Sequence, residues 1–232
     1  MDLIWEGVKK AFELLWKLDR EVLGITWLTL KISGIATLVS LALGVCAGIG
    51  LALKIFPGRR LVIALINTGM GLPPVVVGLW VTLFLWRNGP LGPLELLYTP
   101  AAIVIAQIVI ATPIIAGLSL TAIQRLPPNL KLQILSLGAN RFQMLWLLSK
   151  EARLPIMAAV MAGFGGVVSE VGASIMVGGN IKGYSRVLTT ATVMETGRGS
   201  FDMALALGLI LLLLSFAVNA LLTHLQQRER PR

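Results

Sequence analysis

Apolar positions at spacings of three and four open the chain: Ile4, Val8, Phe12, Leu15 and Leu18 share one helical face, and charged residues occupy the other. The pattern predicts one amphipathic helix over residues 1–21, and Trp5 and Trp16 suit it to lie on a membrane surface. Helical periodicity then gives way to five continuous apolar runs, over residues 32–53, 61–86, 96–124, 155–179 and 203–227. Each is long enough for a helix to cross a hydrocarbon core of about 30 Å. Few residues interrupt them. Lys31 borders the first run, where its stem can follow apolar surface while the ammonium reaches outward. Pro73 and Pro74 divide the second run, and Pro113 lies inside the third. Glu170 is the one ionisable residue of the fourth, and His224 sits near the end of the fifth as an interface residue.

The connection over residues 125–154 is 30 residues long, far more than a simple connector requires. Pro127 and Pro128 end the third run, and the helix formers that follow are interrupted at Gly138. Two short helices hinged near Gly138, lying under the membrane, are expected there. The chain thus divides into an interfacial helix (1–21), a transmembrane unit (22–227) containing the long loop, and a short tail (228–232).

Composition agrees with this reading. The 232 residues are 56% hydrophobic and 13% charged, with mean hydropathy +0.84, whereas soluble domains carry about 25% charged residues. A cytosolic enzyme, a nucleic-acid-binding module and a disordered scaffold are therefore poorly supported, and an all-α membrane protein with five transmembrane helices is expected. The first 21 residues alternate acids and bases, unlike a signal peptide. Cys46 is the one cysteine, so no intramolecular disulfide forms, and in its apolar run it reads as a small packed residue.

The net charge of +9 changes meaning once it is placed. The loop after the first run, the loop over 125–154 and the tail hold eleven basic residues against two acids; the remainder balances nine against nine. The whole excess therefore falls on one side, as the positive-inside rule requires of a cytoplasmic face. The N-terminus is then outside and the C-terminus cytoplasmic; membrane lipid surrounds the chain, and nucleic acid is not expected as a partner.

No catalytic residues and no metal site are expected: one histidine, one cysteine and one intramembrane carboxylate cannot assemble either. The run Gly178-Gly179-Asn180-Ile181-Lys182-Gly183 lacks phosphate-loop spacing, so any energy from ATP must come through another subunit.

Leu135-Ser136-Leu137-Gly138-Ala139-Asn140-Arg141-Phe142, followed by Arg153-Leu154-Pro155, resembles the conserved cytoplasmic loop of binding-protein-dependent ABC importer permeases. Gly-Ala and Leu-Pro match that loop; Leu132-Gln133-Ile134 stands where Glu-Ala-Ala is usual, and the Gly138-to-Pro155 interval of 17 residues is about one helical turn longer. Gly71-Leu72-Pro73-Pro74-Val75-Val76-Val77-Gly78-Leu79 is similar to the Leu-Pro-Pro element of molybdate, tungstate and sulfate permeases. Ser169-Glu170-Val171-Gly172-Ala173-Ser174 and Val177-Gly178-Gly179-Asn180-Ile181 are similar to two further elements, in the version of tungstate permeases. The resemblance covers about residues 24–225.

It implies a type I importer permease fold and a homodimer around a central pathway for tungstate or a related oxyanion. Two ATP-binding cassette subunits would hold ATP and Mg, with no cofactor in this chain, and an external binding protein would deliver substrate. Ser136, Leu137, Gly138, Ala139, Asn140, Arg141 and Phe142 would form the helix that docks in the ATPase. Molybdate, sulfate or phosphate as cargo, and an ion-coupled secondary carrier, are the alternatives; a carrier would show inverted repeats and more intramembrane charge.

The residues allow a pathway to be drawn. Pro73 and Pro74 break the second run, and the half-helix beyond them would present amide donors. Thr68, Ser169, Ser174 and Asn180 could hold an oxyanion through hydroxyl and amide groups. Met70, Leu72, Val75 and nearby apolar side chains would close the pore, since a dewetted constriction blocks ions without binding them. Glu170 would repel an anion, so a structural or gating role is expected, with proton coupling as the rival. Gly163, Gly165, Gly166, Gly172 and Ala173 permit close packing around it. Lys182, Arg186 and Arg198 could meet an acidic rim on the binding protein or steer the anion.

Overall fold

The computed structural model describes residues 2–16 and 19–228, and the described residues form eleven α-helices, one 3-10 turn and no strand. Leu18 of the expected amphipathic face and the tail beyond Arg228 lie outside the described residues. The helices are α1 (Asp2–Trp16), α2 (Arg20–Leu53), α3 (Arg59–Met70), α4 (Pro74–Leu85), α5 (Pro100–Gln124) and α6 (Pro128–Ser136). They continue with α7 (Arg141–Glu151), α8 (Arg153–Val168), α9 (Gly172–Gly178), α10 (Leu188–Gly197) and α11 (Phe201–Arg228).

The amphipathic helix ends earlier than its pattern suggests, because the Asp19 carboxylate accepts from the backbone N–H groups of Glu21 (2.9 Å) and Val22 (3.0 Å) and starts a new helix. Arg20, Glu21 and Lys31 therefore belong to α2, whose 34 residues extend about 51 Å, well beyond a hydrocarbon core. Helix α1 runs antiparallel beside the start of α11: Gly7 faces Leu205, and Lys10 pairs with Asp202. Its small residues Gly7 and Ala11 make the contact, while Trp5, Phe12 and Trp16 stay exposed.

Three helices are long and apolar enough to cross a membrane: α2, α5 and α11. Two bent pairs raise the number to five if each pair counts as one span: α3 with α4, bent by 106°, and α7 with α8, bent by 72°. The second and fourth apolar runs are thus not continuous helices. Gly71 to Pro73 separates α3 from α4, since proline disfavours helical geometry before it and cannot donate within a helix. The fourth run, read from sequence as one helix, stops at Val168 and restarts at Gly172 without any proline.

Helix α5 is the centre of the molecule, with Ala102, Ile103, Ala106, Ala111, Ile115 and Ala116 at or below 1% exposure. Helix α2 approaches it through Gly44 and Gly48. A Cβ at Gly48 would stand 2.6 Å from the Ala116 carbonyl oxygen and 2.8 Å from the Leu120 nitrogen. One at Gly44 would meet Ile115 at 2.9 Å. Two small residues one helical turn apart let the backbones approach closely, which is how helices associate where lipid provides no hydrophobic drive.

This seam generates a direct test. Gly48→Ala places a methyl against rigid backbone and should destabilise the purified protein by about 1–3 kcal/mol. Gly50→Ala, where a Cβ meets nothing within 4 Å, should be neutral or stabilising. Thermal unfolding in detergent separates the two, and equal midpoints would contradict the seam.

Candidate functional site

The two helix breaks meet. A Cβ on Gly172 would lie 2.7 Å from Val75 Cγ2, and one on Gly78 would lie 2.7 Å from Ala173 Cα, so the first turns of α4 and α9 pack at backbone contact. Val75 of α4 thus adjoins Gly172, with the Glu170 carboxylate on the other side of that glycine. Met70, on the last turn of α3, packs its sulfur against Gly117, and Gly69 rests on Pro113, which anchors α3 to α5. Leu72, Pro73 and Val75 are exposed in the single chain; Val75 is 57% accessible.

Glu170 is buried at 7% exposure and faces its own helix start: Oε1 accepts from the Ala173 N–H at 2.7 Å. It stands where a capping side chain would, and its negative charge suits the positive end of α9. The Glu170 carbonyl accepts from Thr189 Oγ1 at 2.9 Å, and the Val167 carbonyl accepts from Gln107 Nε2 at 3.1 Å. Side chains from α5 and α10 thereby reach backbone carbonyls at the break, the Val167 carbonyl also accepting from the Glu170 N–H at 3.2 Å. Gln107 and Thr189 were missed in the sequence, although a glutamine inside an apolar run is itself a signal of an internal partner.

The expected hydroxyl donors are arranged differently. Thr68 Oγ1 donates to the Ala64 carbonyl at 2.9 Å, and Ser169 Oγ donates to the Gly165 carbonyl at 2.8 Å. Both hydroxyls turn back into their own helices, the usual resort of such groups away from water. Ser174 is 1% exposed, and its hydroxyl finds no partner among the described residues. Asn180 follows α9 in left-handed backbone (φ 49°), with its Oδ1 buried and likewise unpartnered. The turn around it is fixed by Ser185, which donates to the Gly178 carbonyl and accepts from the Ile181 N–H.

Lys182 and Arg186 both reach Glu21 on α2, at 2.8 Å and 4.0 Å, and Arg198 pairs with Glu195 at 3.1 Å. The cations expected to face a partner thus already have acidic neighbours. They border a cavity of about 660 Å³ that Asp19, Glu195 and Asp202 also line.

At the other end, α6 closes in a glycine turn. The Gly138 N–H donates to the Leu135 carbonyl (3.0 Å) and the Ala139 N–H to the Ile134 carbonyl (3.4 Å), with Gly138 at φ 82°. This double bond pattern is a Schellman cap, which requires the left-handed geometry that glycine adopts without strain. Asn140 then caps α7 reciprocally with Gln143, at 2.9 Å and 2.8 Å. Ser136 and Arg141 flank this corner, and Leu137 (86%) and Phe142 (85%) project from it into the surroundings. Ile134, Met144 and Leu148 face inward, packed with Ile49, Ala122 and Ile123. The corner is a rigid knob with two apolar tips.

Comparison with known proteins gives these features a context. The family model described as binding-protein-dependent transport system inner membrane component matches residues 44–231. The tungstate uptake system permease protein TupB of Peptoclostridium acidaminophilum is 38% identical over 227 residues, 98% of this chain and 100% of the relative. A probable anion ABC transporter permease protein of Haloferax volcanii is 39% identical, over 91% of this chain and 93% of its own. In shape, the chain is similar to one from a bacterial alginate ABC transporter crystallised with its alginate-bound periplasmic protein. The TM-score is 0.78 at 18% identity, covering 97% of this chain and 86% of that one, a likeness of fold.

The cap on α9 makes a prediction. Glu170→Gln keeps an acceptor oxygen and should retain near-normal stability. Glu170→Leu leaves the Ala173 N–H and its neighbours unpaired, at about 1–3 kcal/mol per group, and should lower assembly yield and thermal midpoint. Equal midpoints for the two variants would show that the hydrogen bond is dispensable.

Proposed function

The chain belongs to the family of binding-protein-dependent transport system inner membrane components, and on that premise we propose that it is the permease subunit of an importer for tungstate or a closely related oxyanion. Such a subunit has no ATPase site of its own. Two copies pair around a central pathway, two ATP-binding cassette subunits hold ATP and Mg on the cytoplasmic side, and an external binding protein hands over the anion. The N-terminus lies outside and the C-terminus in the cytoplasm of a cell membrane, with the basic loops inside.

The observation that carries the reading is the contact of two interrupted helices, Val75 against Gly172, beside the exposed apolar residues Met70 and Leu72. Short half-helices meeting at glycine can shift as units where a continuous span could not, which supports alternating access by rigid-body movement. Thr68, Pro73, Pro74, Ser169, Ser174 and Asn180 complete the segments that line or frame the pathway. Glu170 holds α9 in place; a carboxylate that accepts backbone N–H groups repels the cargo and keeps the fold. Selection of tungstate rests on its relatives' cargo, and the Haloferax relative supports an anion more broadly.

The corner from Ser136 to Phe142 docks in the ATPase, with Leu137 and Phe142 as its anchors. Truncating one buried aromatic anchor typically costs about 2 kcal/mol or more, roughly 30-fold in affinity. Phe142→Ala should therefore leave the permease inserted while ATPase subunits no longer co-purify in full and tungstate uptake falls at least tenfold. Gly138→Leu, which strains the left-handed turn by about 1–2 kcal/mol, should separate ATP hydrolysis from uptake. In a Cys46→Ser background, single cysteines at 72 and 75 should cross-link between copies in a nucleotide-dependent way. Uptake that is insensitive to Phe142→Ala, or cysteines that never cross-link, would remove the coupling or the pathway assignment respectively. Competition between tungstate and molybdate in the same uptake assay tests the cargo.

A further inference from the structure

Between the last turns of α2 and the pair α6–α7 lies a groove of about 740 Å³. Its floor is apolar, built from Ile49, Leu53, Leu135 and Leu145. Three cations border it, Lys54, Lys131 and Arg141, and no acidic side chain does. None of the three has an ion-pair partner among the described residues. At the opposite end of the molecule Lys182, Arg186 and Arg198 all have acids beside them. Trp146 also lines the groove, 62% exposed, with the Lys150 ammonium 5.1 Å from its ring centre. An exposed tryptophan covered by a cation suits the headgroup level of a bilayer.

We propose that this groove binds an anionic phospholipid of the cytoplasmic leaflet, its phosphate held by Lys54 and Lys131 and an acyl chain lying on the apolar floor, while Arg141 at the far rim stays with the corner that docks in the ATPase. The inference rests on the permease reading, which places this end of α2 at the cytoplasmic surface. Geometry supports the occupant. From Lys54 to Cys46 the groove follows α2 for about 12 Å, so a chain anchored at the cations passes the cysteine. A protein segment in the same trough would need partners for its backbone groups, and the floor has few to give. A second copy docked here about a two-fold axis would bring the same three cations against their equivalents. A phosphodiester with a hydrocarbon tail matches both halves of the site, in the manner of basic pockets between membrane helices.

Cys46, the only cysteine, is not packed as its apolar run suggests but exposed in the groove, and it supplies the probe. The complex with its ATPase subunits is labelled at Cys46 with bimane and placed in phosphatidylcholine nanodiscs. These are doped with equal mole fractions of dibrominated phosphatidylglycerol or dibrominated phosphatidylcholine. Quenching by the anionic lipid should reach its midpoint at a mole fraction about fivefold lower, the factor expected of one well-placed cation or more. Lys54→Gln with Lys131→Gln should abolish that preference without reducing quenching by the neutral lipid. Equal quenching by the two lipids at Cys46 would overturn the proposal and leave the permease reading standing, because the label would still sit in lipid. Absence of quenching at Cys46 alone, with a Leu212→Cys label on α11 quenched normally, would show that protein covers the groove and would also overturn it. Absence of quenching at both positions would count against the membrane reading itself.

Discussion

A helix interrupted within an apolar medium must find internal partners for every backbone group it frees, because no water is there to take them. That constraint shapes this molecule more than any single packing contact. The break between α8 and α9 is held by three side chains from three elements: Glu170 accepts from the Ala173 N–H, Gln107 donates to the Val167 carbonyl, and Thr189 donates to the Glu170 carbonyl. Without them the shortest route to satisfaction would be a continuous helix. The polar residues therefore specify a discontinuity, and the discontinuity places α9 against α4.

Close approach is the second half of the design. Gly44 and Gly48 set α2 on α5, Gly78 and Gly172 set α4 on α9, and Gly178 sets α9 on Ile103 of α5. At each point a Cβ would fall within 3.0 Å of a neighbour, so the long helices and the half-helices share one tightly packed framework. The apolar side chains around the breaks are left outward. Met70, Leu72 and Val75 stay accessible in the single chain.

The two ends of the molecule are built on different physics. At one end, acids and bases neutralise each other around Glu21, tying the turn after α9 to the start of α2. At the other, a Schellman turn and a reciprocal cap stiffen the corner between α6 and α7 while Leu137 and Phe142 project from it. The two caps hold those apolar tips in one geometry, which an uncapped loop would not.

The sequence by itself determined the class, and the reasons are local. Unbroken apolar runs, the clustering of eleven bases in residues 54–60, 125–154 and 228–232, and Gly138 after a run of helix formers can be read without coordinates, because each is a property of neighbouring residues. Pro73 and Pro74 announced the first break for the same reason: proline removes a donor wherever it stands. The second break carried no such mark, since Ser169 to Val171 contains nothing that forbids a helix; a local Glu170 cap is joined there by Gln107 and Thr189 from distant parts of the chain. The roles of Gln107 and Thr189 and the burial of Glu170 were likewise decided by tertiary structure. A buried amide, a hydroxyl from another helix and a close glycine contact depend on what a distant element brings alongside, and that proximity is written nowhere in the order of the residues.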